Sequence, residues 1–472
     1  MFLGLDIGTT GIKALVVNEN GEVLDTFYRN LNIISKKPGW IEQNPEEWWE
    51  NTESILEEVT KKYKINAIST SGQMHSLVVL DKNDTPLYNS ILWSDQRTFK
   101  EVEYANEKLG GEDKVLEILG NPILTGFTLP KLLWLKNNNF EIYKNIDKIM
   151  LPKDYINYKL TGVHSTDFSD ASGTAIYSIK ERNWSNEVLE VFDINEKILP
   201  KIINSNEIIS TVKYDETVVV AGGADNACSA LGIGVIEEET MISIGTSGTV
   251  LKPIKNGNHD KRIHLFEHVV PGIKYYMGVM LSATNTFNWF RENFIIEDFK
   301  EINKNISKVS PGSNGVIVLP YLNGERTPHN DPYAKGIIFG LSTFNSKWDV
   351  LRAIYEGVSF GLRDSLELIK GLDQKIGDIT ITGGGTNSIE WMNILADITG
   401  HNLIKPKINE GAAYGAAMLA YSGYYKKDLK EIAKKWIKYN NKITYKKENK
   451  INYDKIYEKY KKLYKANKDL FK

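Results

Sequence analysis

One turn occurs twice in this chain. "GLDIGTTGIKALVV", residues 4–17, and "MISIGTSGTVLKPI", residues 241–254, both read as strand, Gly-Thr hairpin, strand. A hairpin repeated at that distance makes the chain two copies of one α/β unit, each opening with an antiparallel pair. A length of 472 residues agrees, being too long for one ordinary core and natural for two domains of roughly 200 or more residues. The copies differ in charge: Asp6 precedes the first turn, and Ser243 stands at the matching position of the second.

The pattern between the hairpins is also α/β. Asn20-Gly21 suits a type I′ turn between the second and third strands. "NPEEWWENTESILEEV" opens a helix, with Asn44 as cap, Pro45 in the first turn and Glu47 able to close a capping box. "INAISTSGQMHSLVVLD" reads as strand, loop, strand, and "TVVVAGGADNACSALGIG" as strand, glycine loop, small-residue helix. After residue 240 the order restarts: hairpin, strand "GVIVLPYL", helix 347–370, strand "DITITGGG", helix 388–399. The boundary is expected near residues 222–240, dividing the chain into 1–222 and 223–472.

Composition excludes several classes. At 42% hydrophobic and 25% charged, it is that of an ordinary globular protein, and no apolar run reaches the roughly 18 residues of a membrane span. The first strand begins within a few residues of Met1, which leaves no room for a signal peptide, and Cys228 is alone; both fit a cytoplasmic protein. The net charge of −2 hides a basic tail, since residues 421–472 carry +11 and the remainder −13. Tyr453, Tyr457, Tyr460 and Tyr464 share one helical face in that tail. This predicts an amphipathic helix over about 451–470 that docks on its own protein rather than on nucleic acid or membrane.

Three glycine loops, "DIGTTG", "SIGTSG" and "TGGGTNS", can converge backbone N–H groups and hydroxyls on an anion. The phosphate loop G-x-x-x-x-G-K-S/T is absent, as is a G-x-G-x-x-G after the first strand. Beside a phosphate loop, the carboxylate of Asp6 needs a cation such as Mg2+ between itself and the phosphates, or else it caps its own turn. Asp225 lies where a glycine-bearing strand enters a helix. There it can act as a base toward a hydroxyl attacking a γ-phosphate, or serve as N-cap. "SGQMHS" puts Gln73, Met74 and His75 on a loop, and "ILWSDQR" adds Trp93, Asp95 and Arg97, a set able to stack on a sugar face and bond its hydroxyls.

Longer strings carry a resemblance. "GFTLPKLLW", residues 126–134, and "GIIFGLSTFNSKWDVLRAIYE", residues 336–356, resemble the two signatures of the FGGY carbohydrate kinases, and the likeness runs from Met1 to the tail. Family members have two ribonuclease-H-like domains of the actin, hexokinase and Hsp70 superfamily, with the active site in the cleft between them. "SGQMH", "ILWSDQR", "NPILTGFTLPKLLW", "LPKDYINYKLTG", "SDASGT" and "GERTPHND" resemble the branch acting on a keto-pentose. Departures are "QMHS" for the usual "QMHG", a form common in gluconokinases, "WSDQR" for "WNDGR", and "GADNA" for "GGDNA".

The resemblance implies ATP-dependent phosphorylation of a sugar's terminal hydroxyl, with Asp225 as general base. It implies sugar contacts at Met74, His75, Trp93, Asp95 and Asn226, and a Mg2+ ion ordered by Asp6. Thr9, Thr10 and Lys13 are expected on one side of the phosphates and Gly245, Thr246 and Ser247 on the other. Gly384, Gly385 and Asn387 are expected at the adenosine. The alternatives are a gluconokinase or ribulokinase of the same family, and a non-catalytic ATP-binding module of the actin or Hsp70 type. A homodimer is a further expectation from the family.

Overall fold

The computed structural model describes residues 1–213 and 216–471. Its frame is two six-stranded sheets. Strands of the first are β1 (Phe2–Ile7), β2 (Gly11–Val17), β3 (Val23–Asn30), β4 (Ala67–Gly72), β5 (Ile208–Thr211) and β6 (Val218–Ala224). Those of the second are β7 (Thr240–Ile244), β8 (Gly248–Ile254), β9 (His264–Glu267), β10 (Lys274–Met280), β11 (Ile379–Thr382) and β12 (Leu403–Ile404).

The orders β3-β2-β1-β4-β6 and β10-β8-β7-β11-β12 correspond strand for strand. In each, three antiparallel strands are followed by two parallel ones. The duplication read from one turn thus extends to the whole sheet. β5 and β9 are additions at opposite ends of this common plan.

Helices cover the sheets because parallel neighbours need crossovers. α1 (Pro45–Lys62) joins β3 to β4; Asn44 caps it by accepting from the Glu46 N–H at 3.1 Å. The expected capping box does not form, because Glu47 instead accepts from the Asn32 backbone and side-chain N–H groups. The expected I′ turn is also replaced. Only Gly21 has positive φ, 84°, and a bulge between Val16 and Val17 lengthens the connection to residues 18–22.

α2 (Asp225–Gly232) follows β6, while α3 (Lys347–Gly371) and α4 (Ile389–Thr399) flank β11. The next helix, α5 (Gly411–Tyr425), comes late in the chain yet lies on the first sheet and on α2. Small residues permit the approach: a Cβ on Gly4 would stand 2.0 Å from the Ala413 carbonyl oxygen, and one on Gly415 2.0 Å from that of Cys228. The C-terminal α6 (Lys447–Asn467) buries all four tyrosines of the predicted face. Tyr453 bonds Arg352 and Glu356 at 2.8 Å each, and Tyr457 bonds Asp364, so the basic tail is docked on α3.

Candidate active site

Two cavities meet at the junction of β6 and α2. The first, of about 240 Å³, has Met74, His75, Trp93 and Asn226 in its wall, with Thr9 of the first hairpin and Gly245 and Ser247 of the second. The second, of about 450 Å³, is lined by Asp6, Lys13, Gly384, Asn387 and Glu410 among others. Asp225 and Asn226 line both. A single carboxylate therefore faces a small, partly apolar pocket on one side and a glycine-rich pocket on the other.

Asp225 is the first residue of α2, and its carboxylate does not cap the helix in the ordinary way. Its Oδ1 accepts from the Asn226 backbone N–H at 2.6 Å and from Asn226 Nδ2 at 2.8 Å. Burial, followed by repulsion from Asp6, lifts its pKa to about 7 against the pull of those bonds. A carboxylate so poised exchanges a proton near neutral pH, as a general base must.

Asp6 is the penultimate residue of β1, with Oδ1 buried and without a hydrogen-bond partner among the described residues. Burial raises its pKa to about 6, while Ser71 and Lys13 pull the other way. The turn-cap reading would have this carboxylate bonded to its own hairpin, and no such bond is present. An unsatisfied carboxylate oxygen on a residue that lines a polar cavity fits a hard cation completed by water and phosphate oxygens. Among the described residues no cluster of three or more His, Cys, Asp and Glu forms a self-sufficient metal cage.

His75 is held in a left-handed conformation, φ 69°, by three neighbours. Its ring stacks on Phe127 at 4.5 Å, its Nδ1 lies 2.6 Å from the Gly173 carbonyl, and its own carbonyl accepts from Lys131 Nζ at 2.9 Å. Burial lowers its pKa to about 3, so the ring is neutral. With Nδ1 donating to Gly173, Nε2 is the acceptor. Trp93 donates from Nε1 to Thr9 Oγ1 at 3.0 Å, tying the cavity wall to the first hairpin. Gln43 completes that tie by donating to the Thr9 carbonyl at 2.7 Å.

Asp95 is placed differently from the expectation. It is fully buried, lines neither cavity, accepts from the Ile41 N–H at 2.6 Å and pairs with Arg97. Arg97 reaches Glu42 at 2.7 Å with its other arm and stacks on Trp40 at 3.8 Å. The two residues that looked suited to sugar hydroxyls instead satisfy each other behind the wall that carries Trp93.

The glycine loops separate by role. Gly384 faces open space, whereas a Cβ on Gly385 would meet Ile244 at 2.5 Å, so Gly385 is a packing position. Asn387 accepts from Lys405 Nζ at 3.1 Å, and Lys13 pairs with Glu410 beside the second cavity. Thr10 and Thr246 are exposed turn residues that line neither cavity; the Thr246 carbonyl accepts from the Ala283 N–H at 2.9 Å.

Several lining residues carried no role in the sequence reading. Arg326 sits in the quoted string "GERTPHND", and Phe127 in "GFTLPKLLW", yet both line the first cavity. Glu410 and Asn409 precede the small-residue helix α5, and that junction of a loop with a glycine-alanine helix was the available signal.

Comparisons with known proteins agree with the two-domain fold. The family described as "FGGY family of carbohydrate kinases" matches through its N-terminal domain over residues 1–232 and its C-terminal domain over 240–424. The chain is 40% identical to a xylulose kinase of Staphylococcus xylosus, across 98% of this chain and 99% of that one. It is 36% identical to a xylulose kinase of Bacillus subtilis, across 99% and 97%. Among solved structures it is similar to a ligand-bound xylulose kinase from Lactobacillus acidophilus, with TM-score 0.94 and 28% identity over 98% of each chain. A gluconate kinase from the same organism aligns with TM-score 0.93 and 28% identity, over 98% of this chain and 97% of that one. With both domains matched in order and the duplicated sheets enclosing a shared carboxylate, the chain belongs to the FGGY family of carbohydrate kinases.

Proposed function

We propose that this chain transfers the γ-phosphoryl group of ATP to O5 of D-xylulose, giving D-xylulose 5-phosphate and ADP, with Asp225 as general base. The observation that carries this reading is the position of Asp225 on the wall common to the two cavities, where one carboxylate can serve a sugar hydroxyl and face a phosphate. ATP use follows from membership of a carbohydrate kinase family. The choice of sugar is supported by full-length relatives that are xylulose kinases.

In this mechanism His75 Nε2, Asn226 and the face of Trp93 orient the sugar so that O5 meets Asp225. Asp225 takes the O5 proton as the oxygen bonds to the γ-phosphorus and the bond to ADP breaks. Asp6, with its unsatisfied oxygen, would hold Mg2+ through water or directly, and the ion would supply charge neutralisation to the phosphates. Thr9, Gly245 and Ser247 flank the transferring group, Lys13 lies beside it, and Gly384 and Asn387 bound the adenosine. Most of the rate then comes from alignment and from excluding water, which competes with the sugar for the same phosphorus. We place the division between moving units near residues 222–240, with α2 and α5 packed across it, and closure of the cleft as the water-excluding step.

Gluconate is the competing sugar, on the strength of Ser76 in "QMHS". Ser76 is fully buried, accepts from the Trp93 N–H at 3.1 Å and donates to Gln73 Oε1 at 3.3 Å. It supports the wall rather than reading the sugar, which favours the pentulose. A coupled ADP-release assay over pentuloses, pentitols, glycerol and gluconate tests this. D-xylulose should give the highest kcat/KM, and a clear preference for gluconate would overturn the assignment.

A further inference from the structure

Arg326 is the only cationic side chain in the wall of the first cavity, and among the described residues its guanidinium has neither a hydrogen bond nor an ion pair. Its charged neighbour is Glu325, whose Oε1 is already used by the N–H groups of Leu281 at 3.1 Å and of Arg326 at 2.8 Å. Asp225 reaches this cavity from the start of α2 and Arg326 from a loop of the second half of the chain, so the two charged groups enter it from different elements.

Several other N–H donors in the wall are already engaged. Trp93 Nε1 donates to Thr9, Asn226 Nδ2 gives one hydrogen to Asp225 and lies 3.9 Å from Met74 Sδ, and the Gly245 N–H donates to Ser247. The hydroxyls of Ser243, Ser247 and Thr249 belong to the second hairpin. Arg326 therefore brings to the cavity a cationic fork of N–H donors that no group engages among the described residues, and it offers no acceptor.

Its loop is held firmly. Glu325 and Asp331 exchange backbone bonds of 2.9 and 2.8 Å, Tyr464 of α6 donates to Asp331 Oδ2 at 2.8 Å, and the Tyr464 ring stacks on His329 at 3.6 Å.

We propose that Arg326 reads the keto oxygen of the sugar, donating to the one oxygen of a ketose that can only accept. This inference rests on the reading of D-xylulose as substrate. Once O5 is at Asp225, the C2 carbonyl lies toward the opposite end of the chain, and a donor-only fork there matches it. A hydroxyl at C2 can donate or accept and depends less on that fork.

The test uses the full chain and compares D-xylulose with the pentitols made by reducing its C2 carbonyl, used as competitive inhibitors. Arg326→Met should lower kcat/KM for D-xylulose about 10- to 100-fold, the loss expected for a charge-assisted hydrogen bond, while pentitol inhibition constants change less than about threefold. KM for ATP should not move. Arg326→Lys, which keeps the charge without the fork, should fall between the two proteins. Equal losses for ketose and pentitol, or no loss, would overturn the inference. In the unmutated protein, saturating D-xylulose should protect Arg326 from phenylglyoxal, read by peptide mass mapping, and pentitols at equal occupancy should protect it less. Absence of that difference would overturn it independently of how the variants fold. If the unmutated chain does not phosphorylate D-xylulose, the substrate assignment itself fails, and this inference with it.

Discussion

Replacing Asp225 by Asn should abolish turnover while making the protein more stable, and the stabilisation should depend on pH. The substitution keeps the shape and the acceptor that Asn226 uses at 2.6 and 2.8 Å, but removes the ionisable group. Loss of a general base costs about 10²- to 10⁴-fold in kcat. In the parent protein the pKa of Asp225 is raised from 3.8 to about 7. The unfolded carboxylate ionises near 4 and the folded one near 7, so folding becomes less favourable as pH rises through that window. At about 1.4 kcal/mol per pKa unit the penalty above pH 7 is at most about 4 kcal/mol, and less where solvent reaches the group. Urea titrations of both proteins between pH 4 and pH 8 should therefore show a gap that is small at pH 4 and widens to a plateau above 7. The same pKa predicts that parental kcat/KM falls roughly tenfold from its plateau to pH 6, because the protonated form is inactive. A variant retaining more than about a tenth of the turnover would refute the role of base. A stability gap independent of pH would refute the raised pKa.

Three further outcomes follow from other parts of the structure. Asp6→Ala should reduce kcat with Mg-ATP by about 100-fold or more, as expected for loss of phosphate charge neutralisation, and should leave sugar affinity by calorimetry nearly unchanged; a defect confined to sugar affinity would put Asp6 on the wrong substrate. His75→Ala should raise KM for sugar about tenfold without changing KM for ATP, an effect in the range of one lost hydrogen bond. Gly173→Ala should act in the same direction, since its Cβ would stand 2.6 Å from the His75 ring, and an unchanged KM in both would make His75 a packing residue. Gly415→Ala should cost about 1–3 kcal/mol in urea denaturation, because the new Cβ meets the Cys228 carbonyl across the α2–α5 contact; an unaffected midpoint would show that this contact yields.

Local signals carried much of the fold into view. Asn44 and Pro45 start α1 as their chemistry requires, and the spacing of Tyr453, Tyr457, Tyr460 and Tyr464 identified a docked helix. Failures came where a local choice met a distant partner. Glu47 was drawn to Asn32 instead of its own cap, and the Asn20-Gly21 turn yielded to a bulge with Trp436 packed against Gly21. At the site, residue type singled out Asp225, His75 and Trp93, and the fold brings all three into the wall of the first cavity. It misjudged Asp95, which looks the same in sequence whether its partner is a sugar or the Arg97 beside it.

By itself the sequence determined the duplication, the hairpins and the acid that precedes only one of them, since turn chemistry and charge are properties of neighbouring residues. Tertiary structure alone decided which carboxylates face a cavity. Asp6 and Asp225 come from strand ends far apart in the chain, and pairing of β1 with β4 and β4 with β6 brings those ends side by side. Burial raises both pKa values and the nearby Asp6 raises that of Asp225 further, and no reading of Asp225 within its own segment contains that repulsion. Arg326 likewise became visible only in a folded wall, as a cation with no partner among the described residues.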